Sequence, residues 1–154
     1  MANAARRSVE LCLVGLSVAG GPIVAGAQAA AKQVIVPPGG RASATLSPGI
    51  RVGDLLFVSG QLGTSRETPD STIAGQTHRA LDNVKAVVEA AGSSMANVVK
   101  CTVFLVDVRD FAAMNQAYVQ FFPKEPPTRS TVAVAALVSP DAKIEIECIA
   151  AIPK

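Results

Sequence analysis

The sequence predicts an α+β domain in which two helices pack on one face of a single mixed β-sheet. Two segments carry apolar residues at helical spacing, and the segments around them are β-branched or alternate between apolar and polar residues. The chain has 154 residues, of which 49% are hydrophobic and only 4% aromatic, so we expect one domain with an aliphatic core. Strands precede, separate and follow the helices, which favours one sheet covered on one side.

Residues 1–29 are predicted to be a signal peptide that precedes this domain. Two arginines stand before an uncharged run, 11–31, which ends in small residues. We expect cleavage near 27–30, which leaves a domain from 30 to 154. A Gly-Gly-Pro sequence interrupts the run, so anchoring by an uncleaved signal is the weaker alternative. The expectation is a periplasmic or secreted protein with no stable membrane insertion after signal removal.

The first strands are predicted from short apolar runs bounded by turn residues. The segment 32–48 begins with a VIV run and continues with Pro, Gly and Ser, which indicates a strand followed by turns. A polar turn at Gly53 then leads into the run Leu55–Val58, which Ser59 and Gly60 end. This run is typical of a buried strand.

The first helix is predicted between Ile73 and Ala91. Leu81, Val84 and Val88 recur at helical spacing, and Gly92 stands where a left-handed C-terminal cap belongs. The only histidine of the chain, His78, is expected to be exposed on this helix.

The second helix is predicted to begin after Asp110, which can cap it, and to end by Pro123. Phe111, Met114 and Tyr118 form an apolar stripe along it, which continues to Phe121 or Phe122. We interpret the stripe as part of the core.

Three further strands are predicted in the second half of the chain, at 98–108, at 131–137 as a buried strand, and at 143–148. In the first of these, Val99, Cys101, Val103 and Leu105 are expected to share one face, and the last strand alternates strictly between apolar and charged residues. Cys101 and Cys148 both fall on apolar faces. Buried free thiols are favoured for them, with a disulfide as the alternative.

Arg129 stands at the entrance of the apolar segment PPTRSTVAVAAL, where an unpaired guanidinium is costly. Arg129 and Thr131 share a face because they are two residues apart in a strand. If this strand forms a hairpin with the last one, Glu145 or Glu147 comes close to them. Arg129 is then either half of an ion pair at an interface or the anchor for a small organic acid. The residues alone leave both readings open.

Two classes of function are disfavoured by composition. The formal net charge is +2, with no block of like charges, so we expect no nucleic-acid partner. A single histidine and the absence of a CxxC pair leave a zinc or iron site without ligands, so we expect no metal.

Five segments together resemble the RidA/YjgF family of enamine and imine deaminases. They are RVGDLLFVSGQ (51–61), ALDNVKAVVEAAG (80–92), VVKCTVFLVDVRDFAAMNQAYVQFFP (98–123), PPTRSTVAV (126–134) and KIEIECIA (143–150). The resemblance implies a chorismate-mutase-like fold, a homotrimer with clefts between its subunits, and hydrolysis of 2-imino acids to 2-keto acids and ammonia. It implies no metal or organic cofactor.

The resemblance also implies roles for single residues. Arg129 matches the arginine that binds the substrate carboxylate, and Thr131 matches a position that contributes main-chain contacts. Glu145 matches the glutamate that holds the attacking water, and Ser59 matches a serine that shapes the cleft. Leu46 stands where many members have a tyrosine over the substrate, so we also count it among the substrate-binding positions.

Two other functions remain as alternatives. A member of the same family could bind or sense a small carboxylate without turnover, which the loss of a hydroxyl at Leu46 favours. A ribonuclease is disfavoured by the near-neutral charge, the single histidine and the predicted export.

Overall fold

The computed structural model describes residues 31–65 and 70–154, which form one six-stranded sheet and two α-helices. The predicted signal peptide lies outside these residues. The strands are β1 Lys32–Ile35, β2 Gly49–Val52, β3 Leu55–Leu62, β4 Val98–Leu105, β5 Thr128–Ala133 and β6 Ile144–Ala151. The helices are α1 Ile73–Ala90 and α2 Phe111–Tyr118, with short 3₁₀ turns at Met95–Asn97 and Val108–Asp110.

The sheet is mixed, as predicted, with the strand order β1-β2-β3-β6-β4-β5. Strand β5 runs parallel to β4, and every other pair of neighbours is antiparallel. The last two strands do not form the hairpin that would bring Arg129 close to Glu145, because β4 lies between β5 and β6. The chain reaches β5 from β4 through α2, and a crossover of this kind is what a parallel pair requires.

The core lies between the sheet and α1. Leu81, Val84 and Val88 of α1 are fully buried, and burial of each such side chain contributes about 1.5 to 3 kcal/mol. Thr72 caps the helix by accepting a hydrogen bond from the Gly75 amide. Gly92 follows the helix with φ at +80°, which confirms the predicted left-handed cap.

Two details of the helices differ from the prediction. Helix α2 ends at Tyr118, and the next four residues continue only as hydrogen-bonded turns. His78 is half-buried, because its ring contacts that of Phe121 with 5.4 Å between the ring centroids.

Strand β4 departs from strict alternation at its start. Cys101, Val103 and Leu105 point into the core as predicted, but Val99 is 47% exposed. The pairing with β6 shifts between Val98 and Lys100, so Val98 is buried in place of Val99. A register shift of this kind leaves little trace in the sequence pattern.

The segment expected as a buried strand at 131–137 is wrong in both place and burial. Strand β5 ends at Ala133 and forms one edge of the sheet. Val132 is 45% exposed, and the chain beyond Ala133 is not a strand. The apolar composition of this segment therefore does not reflect burial within one chain.

Cys101 and Cys148 form a disulfide, so the expectation of free buried thiols is wrong. The two residues lie directly opposite each other on β4 and β6, with 4.1 Å between their Cα atoms. The bond joins two central strands inside the core, because the exposure of each cysteine is at most 2%.

The sheet face turned away from the helices, here called the open face, carries large apolar side chains. Leu55, Phe57 and Val132 are 45%, 44% and 45% exposed on it. Such a surface is unusual for an isolated domain and typical of an interface. Within residues 31–65 and 70–154, no helix has the length and apolar character needed to cross a membrane.

Candidate functional site

Arg129 lies on the helix-covered side of β5. Its Cα is paired with that of the buried Cys101 on β4, so its side chain points to the same face as the core. The guanidinium lines a cleft of about 400 Å³ beside the end of α2. The other lining residues are Asn115, Tyr118, Val119, Phe122, Pro126 and Pro127. The cleft is therefore apolar except for one guanidinium, one amide and one phenol.

Neutral side chains of α2 hold the guanidinium in place. Nη2 of Arg129 donates a hydrogen bond to Oδ1 of Asn115 at 2.7 Å, and Nη1 lies 4.0 Å from Sδ of Met114. The guanidinium carbon lies 4.6 Å from the centre of the Tyr118 ring and 5.8 Å from that of Phe111, distances that suit cation–π attraction. Helix α2 thus fixes the orientation of Arg129 without neutralising its charge.

The charge of Arg129 has no anionic partner in the described part of the chain. The ion pairs found there join Lys85 with Glu89, Arg109 with Asp107, and Lys154 with Asp54. Arg129 thus forms no ion pair with Glu145 or Glu147 within one chain, and an ion pair at an interface stays a prediction. A half-buried guanidinium with free donors can bind an anion.

The Tyr118 hydroxyl adds a second polar group beside Arg129. It is buried and has no hydrogen-bond partner among the described residues. Burial raises the pKa of Tyr118 to about 12, although the charge of Arg129 acts in the opposite direction. The phenol is therefore neutral at any physiological pH.

Glu145 lies on the open face, on the other side of the sheet from Arg129. Ile144 and Ile146, its neighbours in β6, are fully buried in the core, so Glu145 points away from the helices. Strand β4 also separates β6 from β5. The structure therefore does not bring Arg129 and Glu145 together within one chain, although the alternation predicted for β6 is confirmed.

Ser59 and Leu46 belong to the Glu145 half of the site. Oγ of Ser59 donates a hydrogen bond to the Ser47 carbonyl at 2.6 Å, and its amide donates to the Pro48 carbonyl at 3.0 Å. These bonds tie the segment before β2 to β3. Leu46, next to Ser47, is 56% exposed. Ser59 therefore holds the backbone of the segment before β2 against β3.

Thr131 lies with Arg129 on β5, two residues further along and on the same face. Its Cα is paired with that of Val103, and the residue is half-buried. The predicted site residues thus fall into two groups. Arg129 and Thr131 lie on the helix-covered side, whereas Ser59, Leu46 and Glu145 lie around β3 and β6.

Sequence reasoning missed two residues that shape these groups. Asn115 was not singled out, although it is a polar residue within the apolar stripe of α2, four residues after Phe111 and three before Tyr118. A polar residue at such a position indicates that it has a hydrogen-bond partner on a neighbouring element, which here is Arg129. Gly60 lies directly against Glu145, and no local pattern predicts such an approach. Among the described residues, no group of three or more His, Cys, Asp or Glu side chains could hold a metal ion.

Comparison with known proteins identifies relatives over most of the described chain. The family model described as endoribonuclease L-PSP matches residues 39–152. The 2-iminobutanoate/2-iminopropanoate deaminase of Escherichia coli strain K12 is 44% identical over 107 residues, which cover 66% of this chain and 83% of that protein. The putative reactive intermediate deaminase TdcF of the same strain is 42% identical over 118 residues, which cover 71% of this chain and 91% of TdcF.

Solved structures agree with these sequence relatives. The crystal structure of the Escherichia coli YjgF gene product has 39% identity and a TM-score of 0.70, covering 77% of this chain and 98% of that one. The structure of Escherichia coli TdcF with bound serine has 38% identity and a TM-score of 0.69, covering 79% of this chain and 99% of that one. The fold expected from the resemblance is confirmed, and the chain belongs to the RidA/YjgF family, which includes imine deaminases.

Proposed function

We propose that the protein hydrolyses reactive 2-imino acids to 2-keto acids and ammonia. Water adds to the carbon of the C=N bond, and the resulting carbinolamine expels ammonia as the C=O bond forms. The observation that carries this proposal is Arg129, a half-buried guanidinium held by neutral side chains beside an open cleft. Its free donors match the planar fork of a carboxylate. The names of the two deaminase relatives also support imine hydrolysis.

Arg129 fixes the substrate carboxylate and thereby places the imine carbon. Such orientation contributes several kcal/mol when the reacting atoms are held near attack distance, with about 7 to 11 kcal/mol as a ceiling. Thr131 supplies main-chain contacts beside it. The protonated imine is already electrophilic, so the proposed reaction needs no metal or organic cofactor.

Glu145 orients the attacking water and accepts its proton. General-base assistance of this kind contributes roughly a hundredfold to ten-thousandfold. Because Glu145 and Arg129 lie on opposite sides of one sheet, the two groups meet only if Glu145 comes from another copy of the chain. Ser59 and Leu46 then shape the wall of the cleft on the Glu145 side.

The assembly we propose is a homotrimer with the site at each subunit interface. The exposed Leu55, Phe57 and Val132 of the open face support a surface that another copy covers. In sedimentation, the protein should have about three times the subunit mass. A monomer at micromolar concentration would remove the shared site.

A second candidate is a protein that binds or senses small carboxylates without turnover. The Arg129 cleft is complete within one chain without Glu145, and the exposed Leu46 offers no hydroxyl to a substrate. This candidate predicts binding of 2-keto acids that Arg129→Ala abolishes, together with no hydrolysis of any imine.

We also propose that the protein is exported to the periplasm or secreted. The disulfide between Cys101 and Cys148 supports this, because such bonds persist in oxidising compartments. The predicted signal peptide, residues 1–29, supplies the route. Cell fractionation combined with N-terminal sequencing should find a processed chain outside the cytosol, and an unprocessed chain in the cytosolic fraction would contradict the proposal.

The direct test is hydrolysis of 2-imino acids generated freshly by an amino-acid oxidase and trapped with semicarbazide. The wild type should reduce the amount of trapped imine, and Arg129→Ala should not. Arg109→Ala is a matched control, because Arg109 is exposed and already paired with Asp107. An intact trimer without activity on several imino acids would contradict hydrolysis and favour the sensing protein.

A further inference from the structure

Strand β3 contains an irregularity beside Glu145. Val58 is paired with Cys148 and Gln61 with Ile146, so Ser59 and Gly60 together face the single residue between those partners. Two residues opposite one make a β-bulge, which disturbs the ladder locally and re-aims nearby groups. The residue opposite the bulge is Glu147, and Glu145 lies two residues before it on the same face of β6.

The side chain of Glu145 occupies the space that a side chain at Gly60 would need. The Cα of Glu145 is paired with that of Leu62, which makes Gly60, two residues earlier, its diagonal neighbour. A Cβ built on Gly60 would lie 1.8 Å from Oε1 of Glu145, 2.8 Å from Cδ and 3.1 Å from Cγ. The carboxyl group of Glu145 thus lies against the backbone of Gly60, which has no side chain.

No other group in the described part of the chain holds this carboxylate. The side chain of Glu145 makes no hydrogen bond or ion pair with the described residues. Its carboxyl group instead lies in the space next to Gly60, where a side chain would collide with it. The geometry points to Gly60 as a determinant of where the carboxylate lies.

We propose that Gly60 is a positioning residue whose missing side chain sets the place of the Glu145 carboxylate, and through it that of the attacking water. This inference rests on the proposed imine hydrolysis. A methyl group at Gly60 would displace the carboxyl group by more than 1 Å, and a misplacement of about 1 Å can cost on the order of a hundredfold in rate. The fold should accept Gly60→Ala, because the obstructing atoms are the end of a flexible side chain.

The first test is a double-mutant cycle on imine hydrolysis with the assembled protein. Gly60→Ala should lower kcat about a hundredfold at nearly unchanged KM. Glu145→Ala should lower kcat at least as much, and Gly60→Ala in the Glu145→Ala background should add nothing further, because Gly60 acts through that carboxylate. A wild-type kcat in Gly60→Ala, or a further hundredfold loss in the double variant, overturns the proposal.

The second test does not depend on turnover. In protein labelled with ¹³C at the glutamate carboxyl carbons, the Glu145 resonance is assigned from Glu145→Gln and titrated with pH. Gly60→Ala should shift this resonance, while that of Glu89, which lies on α1 and is paired with Lys85, stays unchanged. An unchanged Glu145 resonance overturns the positioning role. If the wild type hydrolyses no imine, the proposed function fails, and this resonance still decides the role of Gly60.

Discussion

The two faces of the sheet carry the two different halves of the proposed site, here called the helix-side half and the open-face half. The helix-covered face holds the core, the disulfide and Arg129, which α2 orients through Asn115 and Tyr118. The open face holds Glu145 among exposed apolar side chains. The sheet itself thus separates the proposed carboxylate anchor from the proposed base. One chain therefore does not bring the two groups of the proposed site together, and it leaves the apolar side chains of the open face uncovered.

The open-face half is probed most strongly by Glu145→Gln. The amide keeps the shape of the carboxylate but cannot accept a proton, so kcat should fall roughly a hundredfold to ten-thousandfold while KM changes little. Steady-state kinetics on freshly generated imino acids measure this. Glu147→Gln is the matched control on the same strand and should keep wild-type kinetics. Equal losses in both variants would mean that the charge of the face matters, and not one base.

The helix-side half is probed by Arg129→Ala. Loss of one partner of a hydrogen-bonded charge pair costs about 2 to 5 kcal/mol, so kcat/KM should fall by about thirtyfold to several thousandfold. Arg129→Lys should recover only part of this, since an ammonium lacks the planar fork. Full activity in Arg129→Lys would contradict bidentate binding of the carboxylate.

The disulfide should stabilise the helix-covered half without taking part in catalysis. Cys101 and Cys148 are 47 residues apart in sequence, and a bond closing a loop of this length stabilises by roughly 2 to 4 kcal/mol. Replacing both cysteines by alanine should lower the free energy of unfolding by this amount, seen as a lower denaturant midpoint, and leave kcat of the folded protein unchanged. A similar midpoint in the variant would show that the bond is absent or contributes nothing.

The smallest effect is expected at Tyr118. Its pKa is raised to about 12 by burial, whereas an unfolded tyrosine ionises near pH 10. The unfolded state therefore loses its proton first as pH rises, and stability falls between about pH 10 and 12. At pH 11 this term is on the order of 1 kcal/mol. Tyr118→Phe should lose less stability than the wild type between pH 9 and 11, and equal losses would contradict the buried neutral phenol.

Periodicity predicted the buried faces of β6 and α1 correctly. The alternation of Ile144, Glu145 and Ile146 placed the glutamate on a different face from the core, and helical spacing located α1 within a residue at its end. These predictions succeed because the side chains that face the core recur with a fixed period, 3.6 residues in a helix and two in a strand, and the buried positions are apolar. The family resemblance supplied the fold and the site residues that composition could not.

Features that depend on three-dimensional neighbours were predicted poorly. Adjacency in sequence left a hairpin between the last two strands open, but the parallel crossover places β5 at the sheet edge beside β4. The exposure of Val99 follows from a register shift, and the contact of Gly60 with Glu145 follows from a bulge. Apolar composition misled at Val132, which lies on the exposed open face and not in the core.

The central claim is that Arg129 of one copy acts with Glu145 of another, and complementation between inactive variants tests it most directly. Arg129→Ala and Glu145→Ala chains with different tags are coexpressed, and trimers carrying both tags are isolated and assayed. In the proposed trimer, every assembly that carries both tags has one interface of three that combines an intact Arg129 with an intact Glu145, so about a third of the wild-type activity should return. Mixed trimers as inactive as either parent would contradict the shared site.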